Sequence, residues 1–216
     1  MVNGTPVVCG GAFGVINESS GTETFTKVYD ECYQFTNKEW TTTQVNLNGP
    51  KFQSGVGNLV INEKLLFHGG YEKAEDNFAN SNEMIGLNSK EESIPSTLKV
   101  IGHCNIDINA TTFMVTGGYI PDSTTGSQII SKTYFCQKDL QKCVEGPQLN
   151  RARSAHGCFK KTCPESGHQI LYVTGGLTTR NTTMNIPFSD EAESLDYDLR
   201  KNSSLFKWNY SKSPIW

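Results

Sequence analysis

The chain has 216 residues, of which 19% are charged and 36% hydrophobic, and its formal net charge at pH 7 is −3. A charged fraction below the usual quarter favours a folded domain over disorder, and so small a net charge gives no support for binding nucleic acid or an anionic membrane surface. No apolar stretch reaches the roughly 18 residues of a membrane span, and no signal peptide is visible at the start of the chain.

Four Gly-Gly pairs, each preceded by a run of apolar residues, recur along the chain. They are Gly10-Gly11, Gly69-Gly70, Gly117-Gly118 and Gly175-Gly176, and successive pairs lie 59, 48 and 58 residues apart. A period of about 50 residues is typical of propeller blades. Glycine tolerates positive φ and lets a neighbouring backbone come close. Four coincidental turns in a Gly-rich β protein are the alternative.

A short hairpin is predicted downstream of each Gly pair. In the first unit, Tyr33 and Trp40 lie seven residues apart around a turn at Thr36-Asn37-Lys38-Glu39. The corresponding residues of the later units are Leu87 and Ile94, then Cys136 and Cys143, and then Tyr197 and Trp208 with a turn longer by four residues. Because blades stack face to face, we expect the aromatic members, Tyr33, Trp40, Tyr197 and Trp208, in the blade core.

An apolar strand ending in Gly-Gly, a variable loop, and then a Tyr and a Trp on the last two strands of the unit resembles the kelch-repeat family of β-propellers. The first unit, Cys9 to Trp40, carries the whole pattern, whereas the second keeps only its Gly pair and the third has cysteines at the Tyr and Trp positions. The first-strand signature of the family is matched by Gly102-His103-Cys104 and again within residues 151–157. The resemblance covers essentially the whole chain and implies an all-β fold of four-stranded antiparallel blades.

The length of the chain limits the number of blades. Propellers use roughly four to eight blades, and the family that this chain resembles usually closes with six or seven. We therefore expect a partial kelch-type propeller at 1–216, an open arc from a longer protein, with an incomplete first blade at 1–48 and further blades at 49–99, 100–149 and 150–216. The alternative is a complete four-bladed ring whose opening strand is supplied by the C-terminal segment.

Seven cysteines fall at positions that suit disulfides between or within strands. The candidate pairs are Cys9–Cys32, Cys136–Cys143 and Cys158–Cys163. Cys104 is then either a buried thiol or half of a bridge to a missing blade, outside this chain. Reduced cysteines in a cytosolic protein are the alternative. A zinc site finds little support, because no second close pair completes the Cys158-x4-Cys163 spacing. No metal and no cofactor are predicted.

Six Asn-x-Ser/Thr sequons are candidate glycosylation sites. They are Asn3, Asn17, Asn109, Asn181, Asn202 and Asn209. Together with the candidate disulfides, they favour an extracellular or secretory-pathway protein.

No catalytic residue is predicted. His103 and His156 stand at equivalent first-strand positions, where two imidazoles could bind a transition metal, but a hydrogen-bonded structural role explains the repetition better. The chain contains no Gly-x-Ser-x-Gly elbow, P-loop or His-Glu-x-x-His motif. The carboxylates in Asp190-Glu191 and at Glu193 are interpreted as a solvated loop edge.

The main functional hypothesis is a non-enzymatic extracellular module that binds a protein or glycan. Recognition is assigned to variable loops on a rigid scaffold, at Glu72 to Asn82, Pro121 to Gln128 and Thr178 to Asp190. One alternative is a fragment of a secreted copper-radical oxidase, which shares this kind of propeller and would use a tyrosine next to a cysteine, as at Cys32-Tyr33 or at Tyr134 near Cys136. The other alternative is an intracellular kelch adaptor. Fold sharing alone does not transfer an activity.

Overall fold

The structure is a computed structural model that describes residues 1–17, 22–52, 59–72, 77–78, 81–89, 94–95, 98–122, 126–165, 167–178, 189–197 and 206–211. Every regular element in these ranges is a β-strand, and every strand pairing is antiparallel. The prediction of an all-β fold is confirmed. Within these ranges there is no helix long and apolar enough to cross a membrane.

The chain divides into two compact units. The first comprises Met1–Ser54 and Asn58–Lys99, and the second comprises Gly55–Gly57 and Val100–Trp216. The strands of the first unit are β1 (Val7–Cys9), β2 (Ala12–Asn17), β3 (Thr22–Val28), β4 (Cys32–Thr36), β5 (Glu39–Thr42), β6 (Lys51–Phe52), β7 (Val60–Ile61), β8 (Lys64–Phe67), β9 (Tyr71–Glu72), β10 (Asn77–Phe78), β11 (Ser81–Ile85) and β12 (Ile94–Pro95). Sheet one has the order β1-β4-β5, and sheet two has the order β12-β11-β8-β7.

The second unit also contains two larger sheets. Its strands are β13 (Cys104–Asp107), β14 (Thr112–Thr116), β15 (Tyr119–Asp122), β16 (Gly126–Ile129), β17 (Thr133–Gln137), β18 (Cys143–Glu145), β19 (Gly157–Thr162), β20 (Gln169–Thr174), β21 (Ala192–Tyr197) and β22 (Asn209–Ser211). Sheet three has the order β13-β14-β17-β18, and sheet four the order β19-β20-β21-β22. A strand of a further sheet begins directly after each of three Gly pairs. These strands are β2, which pairs with β3, β9, which pairs with β6 and β10, and β15, which pairs with β16.

The glycines of all four Gly-Gly pairs have positive φ, from +55° to +106°. The Gly118 N–H donates a hydrogen bond of 2.7 Å to the Arg153 carbonyl, and the Gly11 N–H donates one of 2.8 Å to the Lys51 carbonyl. A Cβ at Gly118 would lie 2.7 Å from the Ile101 carbonyl oxygen. The first, third and fourth pairs therefore end a strand where another backbone segment approaches closely, as expected from the sequence.

A hydrophobic core of the second unit lies between sheets three and four. Apolar residues of β13 and β14 pack there with residues of β20 and β21 and with Phe206 and Trp208. Trp208 is buried, and its indole N–H donates to the Pro147 carbonyl at 3.0 Å. Tyr197 is half-buried against the same core, with its ring centroid 5.2 Å from that of Phe206. Tyr197 and Trp208, which the sequence predicts in a blade core, thus both pack in this hydrophobic core.

In the first unit a smaller core joins sheets one and two. Cys32, Leu47 and Ile85 are buried in it, with Cys9 and Phe67 packed around them. Sheets three and four of the second unit repeat this arrangement, because there too the sheet that comes first in the chain packs against the next one.

The hairpin predicted in the second repeat is wrong in register. Leu87 lies in a bend after β11, where the Gly86 N–H donates to the Ser89 carbonyl at 2.8 Å. The residue opposite Ile94 is Asn82. The strand therefore ends before Leu87, since the turn at Gly86 takes the chain out of the sheet.

Among the described residues, each unit has one buried ion pair, and the two pairs lie at equivalent positions. Lys51 Nζ lies 2.5 Å from Glu83 Oε1, and Arg153 Nη2 lies 2.8 Å from Glu193 Oε1, with all four side chains buried. In both pairs, the second carboxylate oxygen accepts a hydrogen bond from the backbone N–H three residues before the cation, at 2.7 and 2.6 Å. Glu193 is therefore not part of a solvated loop edge, and that interpretation is corrected.

Candidate functional site

One face of sheet one exposes a continuous group of large apolar side chains, here called the sheet-one aromatic face. It consists of Val8, Tyr33, Phe35 and Trp40. Val8 lies directly opposite Tyr33, and Phe35 lies directly opposite Trp40. The Phe35 and Trp40 ring centroids are 5.3 Å apart. The exposed fractions are 54% for Val8, 39% for Tyr33 and Phe35, and 52% for Trp40.

The turn between β4 and β5 creates this face. Asn37 and Lys38 both have positive φ, at 53° and 68°. A two-residue turn of this kind matches the right-handed twist of the flanking strands. It pairs Thr36 with Glu39, so the residues next to them, Phe35 and Trp40, come to lie on the same side of the sheet.

The blade-core positions predicted for Tyr33 and Trp40 are wrong. Tyr33 lies opposite Thr42, two residues beyond Trp40 on the neighbouring strand. Tyr33 and Trp40 lie seven positions apart in the sequence. The two-residue turn instead pairs Trp40 with Phe35, which lies five positions before it. Both aromatic rings lie on the exposed face, whereas Cys32 occupies the buried face of the same strand.

Disulfides fix two of the hairpin-like strand pairs as predicted. Cys9 and Cys32 are directly opposite on β1 and β4 and are joined by a disulfide, with their Cα atoms 4.0 Å apart. Cys136 and Cys143 are directly opposite on β17 and β18 and are joined in the same way, with a Cα separation of 4.1 Å.

The third predicted disulfide, Cys158–Cys163, is wrong. Cys158 is bonded to Cys104, with an S–S distance of 2.01 Å. This bond links β19 of sheet four to β13 of sheet three, so Cys104 is neither a free thiol nor half of a bridge to a missing blade. Cys163 lies in the turn after β19, where its N–H donates to the His168 carbonyl at 2.8 Å. The sequence concealed this pairing because the two cysteines are 54 residues apart.

His103 and His156 occupy equivalent positions at the starts of β13 and β19. The residues that follow them, Cys104 and Gly157, each pair with the threonine that precedes a Gly-Gly pair. His156 is buried, and its Nε2 lies 2.9 Å from the Thr116 hydroxyl of sheet three. This contact supports the structural interpretation of His156, because it connects sheet four to sheet three.

Burial sets the charge state of two histidines. Burial, assisted by the positive charge of Arg153, lowers the pKa of His156 from 6.5 to about 3. Burial also lowers the pKa of His68 from 6.5 to about 4. Both imidazoles are therefore neutral at pH 7. In the described part of the chain, no group of three or more His, Cys, Asp or Glu residues could hold a metal ion.

The described sequons differ in their surroundings. Asn3 is exposed in a tight turn with φ 49°, Asn17 is the last residue of β2, and Asn209 is exposed at the start of β22. Asn109 lies in the loop between β13 and β14, as expected. Its Oδ1 accepts hydrogen bonds from the N–H groups of Thr111 and Thr112, both at 2.9 Å. Asn181 and Asn202 lie outside the described residues.

The loops predicted to carry recognition are only partly described. Residues 121–122 and 126–128 belong to β15 and β16, so the described part of this stretch forms paired strands rather than an irregular loop. Residues 179–188, and several between 72 and 82, lie outside the described ranges. The aromatic face, rather than these loops, is the candidate site for which the structure provides geometry.

No model of a protein family matches the chain, and a search of curated proteins finds no similar sequence.

Proposed function

We propose that this protein is an extracellular interaction module built on kelch-type propeller blades, and that it binds a protein or glycan through the sheet-one aromatic face. The exposed aromatic face is the observation that carries the proposal. The repeat pattern, the disulfides and the sequons support the type of fold and the compartment.

The propeller hypothesis is supported by features that recur from one sheet to the next. Each four-stranded sheet is antiparallel, and a Gly-Gly pair with positive φ recurs at corresponding points. In each unit, a buried ion pair and a hydrogen bond from the second glycine of a pair recur at equivalent residues. Such repetition is expected when one supersecondary unit is stacked several times.

An extracellular location is supported by cysteine chemistry. Six of the seven cysteines are in three disulfides, and disulfides persist mainly in oxidising compartments. Peptide mapping without reduction, on protein secreted from a eukaryotic cell, should recover all three linked peptide pairs. Recovery of all seven cysteines as reduced peptides would favour the intracellular adaptor instead.

A binding role fits the chemistry of the aromatic face. Large exposed apolar groups that lie together mark interaction sites more often than scattered ones do. Tyrosine and tryptophan are enriched at binding hot spots, because they bury a large apolar ring and retain a polar group. A ring face of this kind can pack on an apolar protein surface or on the C–H face of a sugar.

The oxidase alternative requires a cysteine that can be linked to a tyrosine. Cys32 and Cys136, the two cysteines near tyrosines, are both bonded to other cysteines. Tyr33 also lies on the opposite side of β4 from Cys32, because adjacent strand residues point to opposite faces. These contacts favour a binding module over this type of enzyme.

The test is to compare wild type and Trp40→Ala on arrays of defined glycans and of purified extracellular domains. We expect at least one ligand to bind the wild type and to bind Trp40→Ala roughly tenfold or more weakly, since hot-spot truncations cost more than about 1 kcal/mol. Val144→Ala is the matched control, because Val144 is 47% exposed but lies on sheet three. Equal binding by wild type and Trp40→Ala would refute the assignment of the site, and binding of no ligand by the wild type would refute the function.

A further inference from the structure

The sheet-one aromatic face corresponds to a face that is buried in sheet four. Val8 and Val173 each stand two residues before the first glycine of a Gly-Gly pair. Val173 is fully buried in the core between sheets three and four, whereas Val8 is more than half exposed. The strand pairing makes exposed Phe35 the counterpart of Leu195, which is buried in the same core.

The exposed face of sheet four corresponds to a face that is buried in sheet three. Tyr172 and Met114 each stand three residues before a Gly-Gly pair, opposite Phe159 and Ile106 respectively. Ile106 and Met114 are buried against sheet four. Phe159 is 40% exposed and stacks on Tyr172 with ring centroids 4.9 Å apart. We call Phe159 and Tyr172 the sheet-four outer face.

The two exposed faces are therefore the counterparts of two faces that already pack together within the chain. Sheet three presents Ile106 and Met114 to Val173 and Leu195 of sheet four. Phe159 and Tyr172 of the sheet-four outer face occupy the positions that Ile106 and Met114 hold in sheet three. Val8 and Phe35 of the sheet-one aromatic face occupy the positions that Val173 and Leu195 hold in sheet four. Both faces carry apolar groups whose removal from water lowers the free energy.

We propose that the sheet-one aromatic face binds the sheet-four outer face of a second copy of this chain, in the manner in which sheet four covers sheet three. This inference rests on the proposed function and names the partner. The two faces differ, so the contact is heterologous, and repetition of it produces open chains or closed rings of copies.

The size of the contact predicts a weak association. A face of three or four strands, each about five residues long, measures roughly 15 by 17 Å. Two such faces in contact bury on the order of 1,000 Å² of accessible surface, near the lower limit for a specific interface. We therefore expect assembly to depend steeply on protein concentration.

The test is sedimentation velocity on wild type, Trp40→Glu, Phe159→Glu and the control Val144→Glu, over a broad range of concentrations. The weight-average mass of the wild type and of the control should rise with concentration to about twice the monomer mass or more. Each of the other variants should stay monomeric, because each lacks one of the two complementary faces.

Mixing the two monomeric variants gives the decisive measurement. Trp40→Glu retains the sheet-four outer face, and Phe159→Glu retains the sheet-one aromatic face, so an equimolar mixture should form a dimer and nothing larger. Far-ultraviolet circular dichroism and thermal unfolding would establish that both variants are folded. A mixture of folded variants that stays monomeric, or a wild type that is monomeric throughout, would overturn the proposal. A monomeric wild type that still loses a ligand through Trp40→Ala would leave the proposed function intact.

Discussion

His156 illustrates how a single buried side chain connects neighbouring sheets of the second unit. Its ring lies 2.9 Å from the Thr116 hydroxyl, and burial with the nearby Arg153 lowers its pKa from 6.5 to about 3. The folded state therefore binds a proton at this ring less readily than the unfolded state does. The contribution to stability is present above pH 6.5 and is lost as the pH falls towards 3.

Replacing His156 should consequently flatten the dependence of stability on pH. Between pH 7 and pH 4, the contribution of His156 should lower the free energy of unfolding of the wild type by about 3 kcal/mol. His156→Gln should not show this loss, because glutamine does not bind a proton. Urea unfolding of both proteins at several pH values measures the difference. Since His68 and the carboxyl groups titrate in both proteins, only the difference in slope is informative. Parallel curves would show that His156 does not contribute.

Two glycines allow backbone strain to be separated from steric overlap. Gly118 and Gly11 have nearly the same φ, +103° and +106°. A Cβ at Gly118 would lie 2.7 Å from both Ile101 O and Val100 Cγ2, whereas at Gly11 no atom lies within 4 Å. Gly11→Ala should therefore cost only the conformational strain, roughly 1–2 kcal/mol. Gly118→Ala should cost clearly more.

Chemical denaturation of the two alanine variants provides the measurement. If both lose the same free energy of unfolding, the close approach of backbone at Gly118 does not matter for stability. A larger loss for Gly118→Ala would indicate that the second glycine of a pair is required by the neighbouring backbone as well as by its φ.

At the scale of elements, the Arg153–Glu193 pair connects the segment before β19 to β21. Removing one member leaves a buried charge without its partner, which typically costs about 3–5 kcal/mol. We expect Arg153→Met to lose stability on this scale. The double variant Arg153→Met with Glu193→Leu should lose less than Arg153→Met alone, because no charge remains buried.

Guanidinium chloride unfolding of both single variants and the double variant completes a double-mutant cycle. The Asn150 N–H loses its carboxylate acceptor in the double variant, so some loss should remain. A double variant less stable than both single variants would contradict the role assigned to this ion pair.

Strand existence could be predicted from the sequence more readily than strand register. The apolar runs before the Gly-Gly pairs predicted β1, β8, β14 and β20. The glycines marked where these strands end, because each of them has positive φ. The sides to which Tyr33 and Trp40 point could not be predicted from spacing alone. The two-residue turn at Asn37-Lys38 pairs Trp40 with Phe35 rather than with Tyr33. This shift of two residues changes the cross-strand neighbours but keeps both rings on the same face, so spacing does not show whether that face is buried.

The buried ion pairs had a weak signal in the sequence. The segments Leu47-Asn48-Gly49-Pro50-Lys51 and Leu149-Asn150-Arg151-Ala152-Arg153 share Leu-Asn followed by a cation three residues after the asparagine. Their acidic partners lie 32 and 40 residues further on, so only the packing of sheets brings them together. For this reason, the neighbouring acidic residues alone led to the interpretation of Glu193 as part of a solvated loop edge.

At the scale of the whole molecule, long-range links matter more than the short ones that the sequence displayed. The Cys104–Cys158 disulfide joins sheets three and four across 54 residues, whereas Cys136–Cys143 spans only 7. Hydrogen bonds also connect the segments that form these sheets, among them His156 with Thr116 and Lys160 Nζ with the Ile108 carbonyl at 2.9 Å. The disulfide thus reinforces a packing already present between these sheets.

Chain entropy predicts unequal effects when these two disulfides are removed. Closing a 54-residue loop restricts the unfolded chain by about 4 kcal/mol, and closing a 7-residue loop by about 2 kcal/mol. We expect the double alanine variant at Cys104 and Cys158 to lose more stability than that at Cys136 and Cys143. Equilibrium unfolding of both variants and the wild type in guanidinium chloride, without reductant, measures the two losses. Equal losses, or a greater loss for the shorter loop, would mean that the link between sheets three and four contributes little beyond their shared core.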